Sequence, residues 1–409
     1  MPSFRFLHAA DLHVDSPLKG IERYEGAPVE AIRGASRRAV ANLVSAAIEE
    51  RVAFVVLAGD IFEGDWRDFG TGLFFAQQLR RLGEEGIEVF LLAGNHDAAA
   101  HMTRQLEWPA NVTVFSTKAP QSVTHAASGT VLHGQGFATR AVEQDLAARY
   151  PEAVAGAFNI GVLHTALDGR EGHDPYAPTR VETLRGKGYD YWALGHVHAR
   201  EVVSREPWIV FPGNLQARHL RETGSKGATL VEVVDGRVSA VEHRPLDVVR
   251  FAQIDVDASG VKSAAAAVDR AQQAMTNARD DADGRLLVVR LHLHGRTETA
   301  VDLRREQERL LGELQNAANA LGEVWLEGLR VDTTTAASDQ GRDLLEALGL
   351  DDPDLRAQAL REVRDGAATL LAAIREPGED LDGLLASLCD DARDRAVSRL
   401  LDPHEGQGA

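Results

Sequence analysis

Five times in the first two hundred residues, an apolar run ends on an aspartate, an asparagine or a histidine. FRFLHAADLH delivers Asp11 and His13, VAFVVLAGD delivers Asp60, and FLLAGNHD delivers Asn95, His96 and Asp97. FNIGVLH then ends on His164, and YDYWALGHVH ends on His196 and His198. Runs this short and apolar, bounded by glycine, read as strands covered on both faces, since a half-exposed strand would alternate with polar residues. In such sheets the chemically active groups collect just past the carboxyl ends of the strands. Five such strands aim their terminal side chains at one rim, and carboxylates and imidazoles gathered on one rim make a metal site.

Asp11 and His13 are two residues apart, so on an extended backbone both side chains point the same way, and His196 and His198 repeat the spacing. Asp60 is the natural bridging group, because the two oxygens of a carboxylate can contact two cations. Oxygen and nitrogen donors without a thiolate suit manganese, iron or zinc. Two such cations about 3.5–4 Å apart clamp an in-line displacement at phosphorus and acidify water into a hydroxide nucleophile. Adjacent side chains diverge on extended backbone, so His96 is expected to stay off the cations and face the scissile phosphate. There it would stabilise the transition state and protonate the leaving oxygen.

The alternation of strand and helix through the first half indicates an α/β layer with right-handed crossovers, and short runs from Val112 to His133 suggest a second sheet. Helices are expected over Pro28–Glu50, Thr71–Glu85 and Ala141–Arg149. Asp235-Gly236 between two alternating runs is a hairpin signature. Residues 1–245 thus form the catalytic domain. Residues 247–333 read strand, helix, strand, helix, strand, a small α/β module. Asp332–Asp339 has the composition of a linker, and residues 334–409 form a helical tail broken at Pro353 and Pro377. A chain of 409 residues is too long for one core, so two or three domains agree with the length.

The formal charge of −18 argues against wrapping a polyanion wholesale. About half of the excess lies from Asp339 onward, where 17 acidic residues face 8 arginines. The one cysteine, Cys389, cannot form an internal disulfide. With no apolar run of membrane-spanning length and no basic, apolar leader, a soluble cytoplasmic protein without a membrane partner is expected.

DLH, GD, GNHD, a later histidine and GHVH, in this order, resemble the motif series of the calcineurin-like metallophosphoesterases. The opening HAADLHVDSPLKG and the segment GDIFEGDWRDFGTGLFF resemble bacterial DNA repair exonucleases of the SbcD type, the YhaO-like branch most of all. PGNLQ at Pro212–Gln216 is similar to the closing loop of that family. The resemblance implies a two-sheet sandwich flanked by helices, with a small α/β cap over residues 247–333 that positions DNA. It implies one cation held by Asp11, His13, Asp60 and His198, and another held by Asp60, Asn95, His164 and His196. Two divalent ions, manganese before iron or zinc, would be the cofactors, and His96 matches the catalytic histidine of the family. A coiled-coil ATPase similar to SbcC would be the partner of the tail, and a homodimer is also implied. One departure stands out. Glu63 occupies the place where SbcD-type nucleases commonly carry a second, assisting histidine.

The first functional reading is therefore a metal-dependent DNA exo- and endonuclease of double-strand-break repair. A small-molecule phosphodiesterase or phosphoprotein phosphatase on the same site is the second, and a weakly active DNA-clamping scaffold is the third. His8, inside the first strand, reads as a packed structural residue rather than a ligand. Asp15 and Asp97 would orient ligating histidines or cap turns. Arg218 and His219 follow the PGNLQ loop and are candidates for contact with a phosphate, beside the plainer account of an ordinary loop. Arg33, Arg37, Arg38, Arg200, Arg205, Arg221 and Lys226 are candidates for tracking a DNA backbone, beside the plainer account of a solvated surface.

Overall fold

The structure, a computed structural model, describes residues 3–16, 28–63, 69–99, 106–168, 176–335 and scattered positions between 352 and 364. Most of the expected helical tail, Cys389 included, lies outside the described residues. The chain divides into two units, one built from Met1–Ala252 with Ala282–Val288, the other from Gln253–Asp281 with the described residues of Val289–Ala409.

The first unit opens with β1 (Phe4–Ala9), α1 (Val29–Arg33), α2 (Ala35–Glu49) and β2 (Phe54–Ala58). It continues with α3 (Phe69–Glu84), β3 (Glu88–Leu92), the short α4 (Asn95–Ala99) and β4 (Val112–Val114). Next come β5 (Gln121–His125), β6 (Thr130–Gly134), β7 (Asn159–His164), α5 (Val181–Gly186) and β8 (Tyr191–Gly195). It closes with β9 (Glu201–Arg205), β10 (Trp208–Phe211), β11 (Gly227–Val234) and β12 (Arg237–Pro245). Two six-stranded sheets result, in the orders β12-β11-β1-β2-β3-β4 and β5-β6-β7-β8-β10-β9. Their central strands are parallel; antiparallel pairing closes one margin of the first sheet (β11 and β12) and both margins of the second (β5 and β9), while β4 at the other margin of the first is parallel to β3.

The period of two in each strand explains the layering. Phe6, Phe54, Val56, Phe90 and Leu92 of the first sheet pack against Leu132, Ile160, Val162, Tyr191 and Val210 of the second. The alternate residues Leu7, Ala9, Val55, Leu57, Val89 and Leu91 face outward onto Val40, Leu43 and Val44 of α2 and Phe75 and Leu79 of α3. Leu163, Trp192, Leu194, Ile209 and Phe211 cover the outer face of the second sheet together with Leu184 of α5. A helix–sheet–sheet–helix sandwich is the outcome, and the five apolar runs are apolar throughout because both of their faces are covered.

Several boundaries depart from the sequence reading. Ala141–Arg149 holds only a single 3-10 turn at Ala147–Arg149, because Val142 O accepts from Ala177 N and Asp145 Oδ1 accepts from Ala148 N. Val142 and Leu146 still reach the core below. Asp235 and Gly236 both have positive φ, 51° and 76°, as a two-residue hairpin of the right-handed twist requires.

In the second unit, β13 (Val249–Asp257), α6 (Ala264–Asp281), β14 (Leu286–Thr297), α7 (Ala300–Arg305), α8 (Gln307–Leu321) and β15 (Val324–Thr335) form a sheet of order β13-β14-β15 with helices. β15 continues through Asp332–Thr335, where a linker was expected. The threonines are β-formers, and Thr333 O accepts a hydrogen bond from Arg304. Among the described residues no helix is long and apolar enough to cross a membrane.

His8 lies fully buried between the sheets, Nδ1 3.1 Å from Tyr191 Oη and Nε2 3.0 Å from Leu194 O. A carbonyl only accepts, so Nε2 carries the proton and Nδ1 accepts from the tyrosine. Burial pushes its pKa down to about 3, against the Leu194 carbonyl. The unfolded chain takes up this proton near pH 6.5, so the contribution of neutral His8 is complete above that pH and is lost on acidification below it. The unfolding free energy of His8→Leu should therefore fall less steeply between pH 6.5 and 4, by roughly 1.4 kcal/mol per pH unit. Urea titrations at several pH values measure this, and parallel curves for the two proteins would rule it out.

Candidate metal centre

The carboxyl ends of β1, β2 and β3 in one sheet and of β7 and β8 in the other meet at one rim. The backbone there is not extended, contrary to the sequence reading. Asp11, His13 and Asp60 have φ of 51°, 41° and 52°, and His196 has 103°. Left-handed backbone is uncommon outside glycine and collects at functional sites. The kinks, not a strand pleat, turn Asp11 and His13 to the same side. Asn95 and His96 open the short helix α4, so their side chains part by the rotation of a helix rather than by strand alternation.

Asp60 is the hub. Its Oδ2 lies 3.4 Å from His164 Nε2 and 3.9 Å from His13 Nε2, and its Oδ1 accepts the main-chain N–H of His96 at 3.0 Å. Asn95 Oδ1 is 2.9 Å from His164 Nε2. The main-chain N–H of His196 donates to both oxygens of Asp11, at 3.1 and 2.9 Å. His13 Nε2 and His198 Nε2 face each other at 3.2 Å. Donor atoms lie within 4.8 Å of one another in the groups Asp11, His13, His198 and Asp60, His164, His196, and also in the group His13, Asp60, His96. All the residues expected as ligands thus come together, and His96 stands within ligand distance as well. Asp11, His13, Asp60, Asn95, His164 and His196 are buried.

Charge is concentrated here. Burial opposes the ionisation of Asp60, but His164 and His13 outweigh it and hold the carboxyl well below the usual range. Burial likewise opposes a proton on His164, yet the Asp60 carboxylate raises its pKa to about 9. His13 is lowered, chiefly by burial. A cluster of buried oxygen and nitrogen donors with two imidazole nitrogens face to face fits divalent cations, which relieve the crowding of lone pairs.

Comparison with known proteins agrees. Residues 4–200 match the family model of the calcineurin-like phosphoesterases, and residues 251–334 match that of the metallophosphoesterase YhaO middle domain. A protein of Bacillus subtilis (strain 168), named as an uncharacterized metallophosphoesterase YhaO, is 39% identical over 294 residues, 71% of each chain. This chain belongs to the calcineurin-like metallophosphoesterases. More distant similarity extends to the DNA double-strand break repair protein Mre11 of Methanopyrus kandleri, 28% identical over 50% of this chain and 46% of that one. The Mre11 of Haloferax volcanii is 24% identical over 92% of this chain and 82% of that one. The chain is therefore a metallophosphoesterase enzyme, of a family that uses a dinuclear divalent metal centre.

Behind the donors of this metallophosphoesterase lies a set of supports that the sequence reading assigned only in part. Asp97 does not touch a histidine. Its carboxylate accepts the main-chain N–H groups of Ile61, Phe62 and Gly94 at 3.0–3.1 Å, tying the Asp60 loop to the Asn95 loop. Burial and the neighbouring Asp60 push its pKa up to about 7 against those donors. Asp15 is held by Arg37 and Thr71, away from the centre. That pairing gives Arg37, whose side chain is partly exposed, a structural partner, and Lys226 is buried, with Nζ 3.1 Å from His198 O. Glu63 Oε2 lies 2.8 Å from His13 Nδ1 and 2.6 Å from Arg218 Nη1. The first contact is at hydrogen-bond distance but lies off the direction of a ring N–H. Burial opposes the charge on Glu63, but His13 and Arg218 outweigh it and hold the carboxyl at about 2. His198 Nδ1 donates to Glu222 Oε1 at 2.7 Å. Glu222 escaped the sequence reading, since no motif contains it and it follows His198 by more than twenty residues.

The approach of the two loops requires a glycine. A Cβ on Gly94 would stand 2.2 Å from Asp60 Oδ1 and 2.6 Å from Asp60 N, where neither atom can retreat. Gly94→Ala should therefore displace the hub carboxylate and remove at least one of two bound manganese equivalents, with the far-UV circular dichroism unchanged. Retention of both equivalents, counted by elemental analysis, would contradict the geometry.

Proposed function

We propose that this metallophosphoesterase hydrolyses phosphodiester bonds of DNA, as an exo- and endonuclease in double-strand-break repair. The observation that carries the reading is the convergence of donors from five strands on Asp60. The similarity to two Mre11 proteins named for DNA double-strand break repair supports the substrate class. Asp11, His13, Asp60 and His198 are the ligands of one cation, and Asp60, Asn95, His164 and His196 those of the other. Manganese suits this donor set first, and a pair of such ions supplies Lewis acidity and acidified water for attack at phosphorus.

The side chains do the rest. Asp60 is fixed by the main-chain N–H of His96 through one oxygen, which keeps the other turned toward His13 and His164. Asp11 is locked by the N–H of His196 in the same way. His96 has a quarter of its side chain open to solvent, unlike His13 and His164. It donates a proton to the leaving oxygen as the phosphorus–oxygen bond breaks. Residues 247–333 act as the cap that positions DNA, and residues 334–409 dock on a coiled-coil ATPase.

One assay with manganese tests the substrate class: a labelled duplex with free ends, a cyclic nucleotide and a phosphoprotein, each with wild type and His96→Ala. Only the duplex should be degraded. His96→Ala should lower the rate by about 10²–10⁴ and still bind two manganese equivalents. Consumption of the cyclic nucleotide or phosphoprotein instead of DNA defeats the substrate assignment. Loss of metal from His96→Ala would make His96 a ligand. Asp60→Asn, by contrast, should release both equivalents.

A further inference from the structure

A charged bridge runs behind one half of the candidate centre and belongs to none of its motifs. From His13 Nδ1 it passes 2.8 Å to Glu63 Oε2, then 2.6 Å to Arg218 Nη1. Arg218 Nε lies 3.7 Å from Glu222 Oε1, and its main-chain N–H donates to Glu222 Oε2 at 2.6 Å. Glu222 Oε1 accepts from His198 Nδ1 at 2.7 Å, while Asn214 Nδ2 donates to Oε2 at 2.9 Å. The loop closes where His13 Nε2 and His198 Nε2 meet at 3.2 Å.

We infer that Glu63 and Glu222, linked by Arg218, are positioning residues that fix His13 and His198 with both Nε2 lone pairs turned toward one cation. An ionised carboxylate can only accept, so the imidazole nitrogen facing it carries the proton and the far nitrogen is left as a ligand. Glu63 faces Nδ1 of His13 and Glu222 faces Nδ1 of His198, so both rings offer Nε2. Without a counter-charge the two carboxylates would repel each other and add to the negative charge of Asp11 and Asp60. The planar guanidinium of Arg218 meets both, as the fork geometry of arginine allows. Its side chain is only 20% exposed, with Glu63 at 29% and Glu222 at 7%, so solvent screens the bridge only in part.

The bridge gives Glu63 a role that a histidine in its place would not fill. With one oxygen against both His13 and Arg218, and the other 3.5 Å from His96 Nδ1, it is a charge clamp rather than a proton donor. The inference rests on the dinuclear reading of the site, but it does not depend on DNA being the substrate.

Metal binding to the full-length protein tests it without any turnover. Metal-stripped protein is titrated with manganese and the free ion is read by electron paramagnetic resonance. Wild type should take up two equivalents. Glu63→Ala and Glu222→Ala should each weaken one equivalent about 10–100-fold, the usual effect of removing an outer partner of a ligating histidine, and leave the other unchanged. Glu63→Gln keeps the shape and a carbonyl oxygen for Nδ1 but not the charge that faces Arg218, so it should recover only part of the loss, whereas a purely steric role would be restored in full. Glu63 is the more exposed of the two, so its variants carry the test if Glu222→Ala does not fold. Wild-type affinity at both equivalents in the alanine variants overturns the proposal, as does equal weakening of both. A wild-type protein that binds fewer than two equivalents overturns the dinuclear reading itself.

Discussion

Everything at the centre depends on Asp60. Its carboxylate stands within 4 Å of two buried histidines and accepts the N–H that begins α4. A buried charge of this kind is tolerated only when it is paired and hydrogen-bonded, because its removal from water costs several kcal/mol. The chain meets that condition with three separate elements: β1 brings His13, β3 and α4 bring the main-chain donor, and β7 brings His164. Asp97 acts one layer back, joining the segments on either side of Asp60 through three main-chain N–H groups. Because each of these contacts comes from a different strand, the site exists only when both sheets are assembled.

That dependence explains why the interior between the sheets is so aromatic. Phe6 and Phe54 stack at 5.1 Å, and Phe6 meets Tyr191 edge-on at 5.3 Å. These rings set the separation of the sheets, and with it the distance from Asp60 on β2 to His164 on β7. His8, near the end of β1 and three residues before Asp11, extends the packing toward the rim by bonding Tyr191 and Leu194 across the gap. A core histidine in the strand and a ligand candidate in the loop after it thus stand three positions apart. What separates their roles is that one lies within the pleat and the other follows a left-handed turn.

The sequence was informative wherever one local rule decides the outcome. Apolar runs located β1, β2, β3, β7 and β8 because strands covered on both faces must be apolar throughout. Asp235-Gly236 located a hairpin because two successive positive φ angles demand such residues. Asp11 and His13 come together by a route other than the one assumed: left-handed kinks turn them to the same side, whereas extended backbone was expected. Ala141–Arg149 misled because its apolar spacing suits a helix, while its backbone bonds are taken by Ala177 and Asp145. Pairing of β1 with β11, more than two hundred residues apart, left no local trace. Glu222 was invisible for the same reason, since it matters only through His198 and Arg218.

The acidic balance of the chain also acquires a structural meaning. Of the basic residues near the centre, Arg37 is bound to Asp15, Arg218 to Glu63 and Glu222, and Lys226 to the His198 carbonyl. These three cations are paired within the walls of the site. A phosphodiester reaching the rim would feel the charges of Asp11 and Asp60 buried beneath it, and like charges in a poorly screened setting repel strongly. Only bound divalent ions reverse that sign. In a protein with a formal charge of −18, cations held by these donors would therefore attract an anionic substrate as well as supply the chemistry. Substrate affinity and catalysis should then rise and fall together as metal is added or withdrawn.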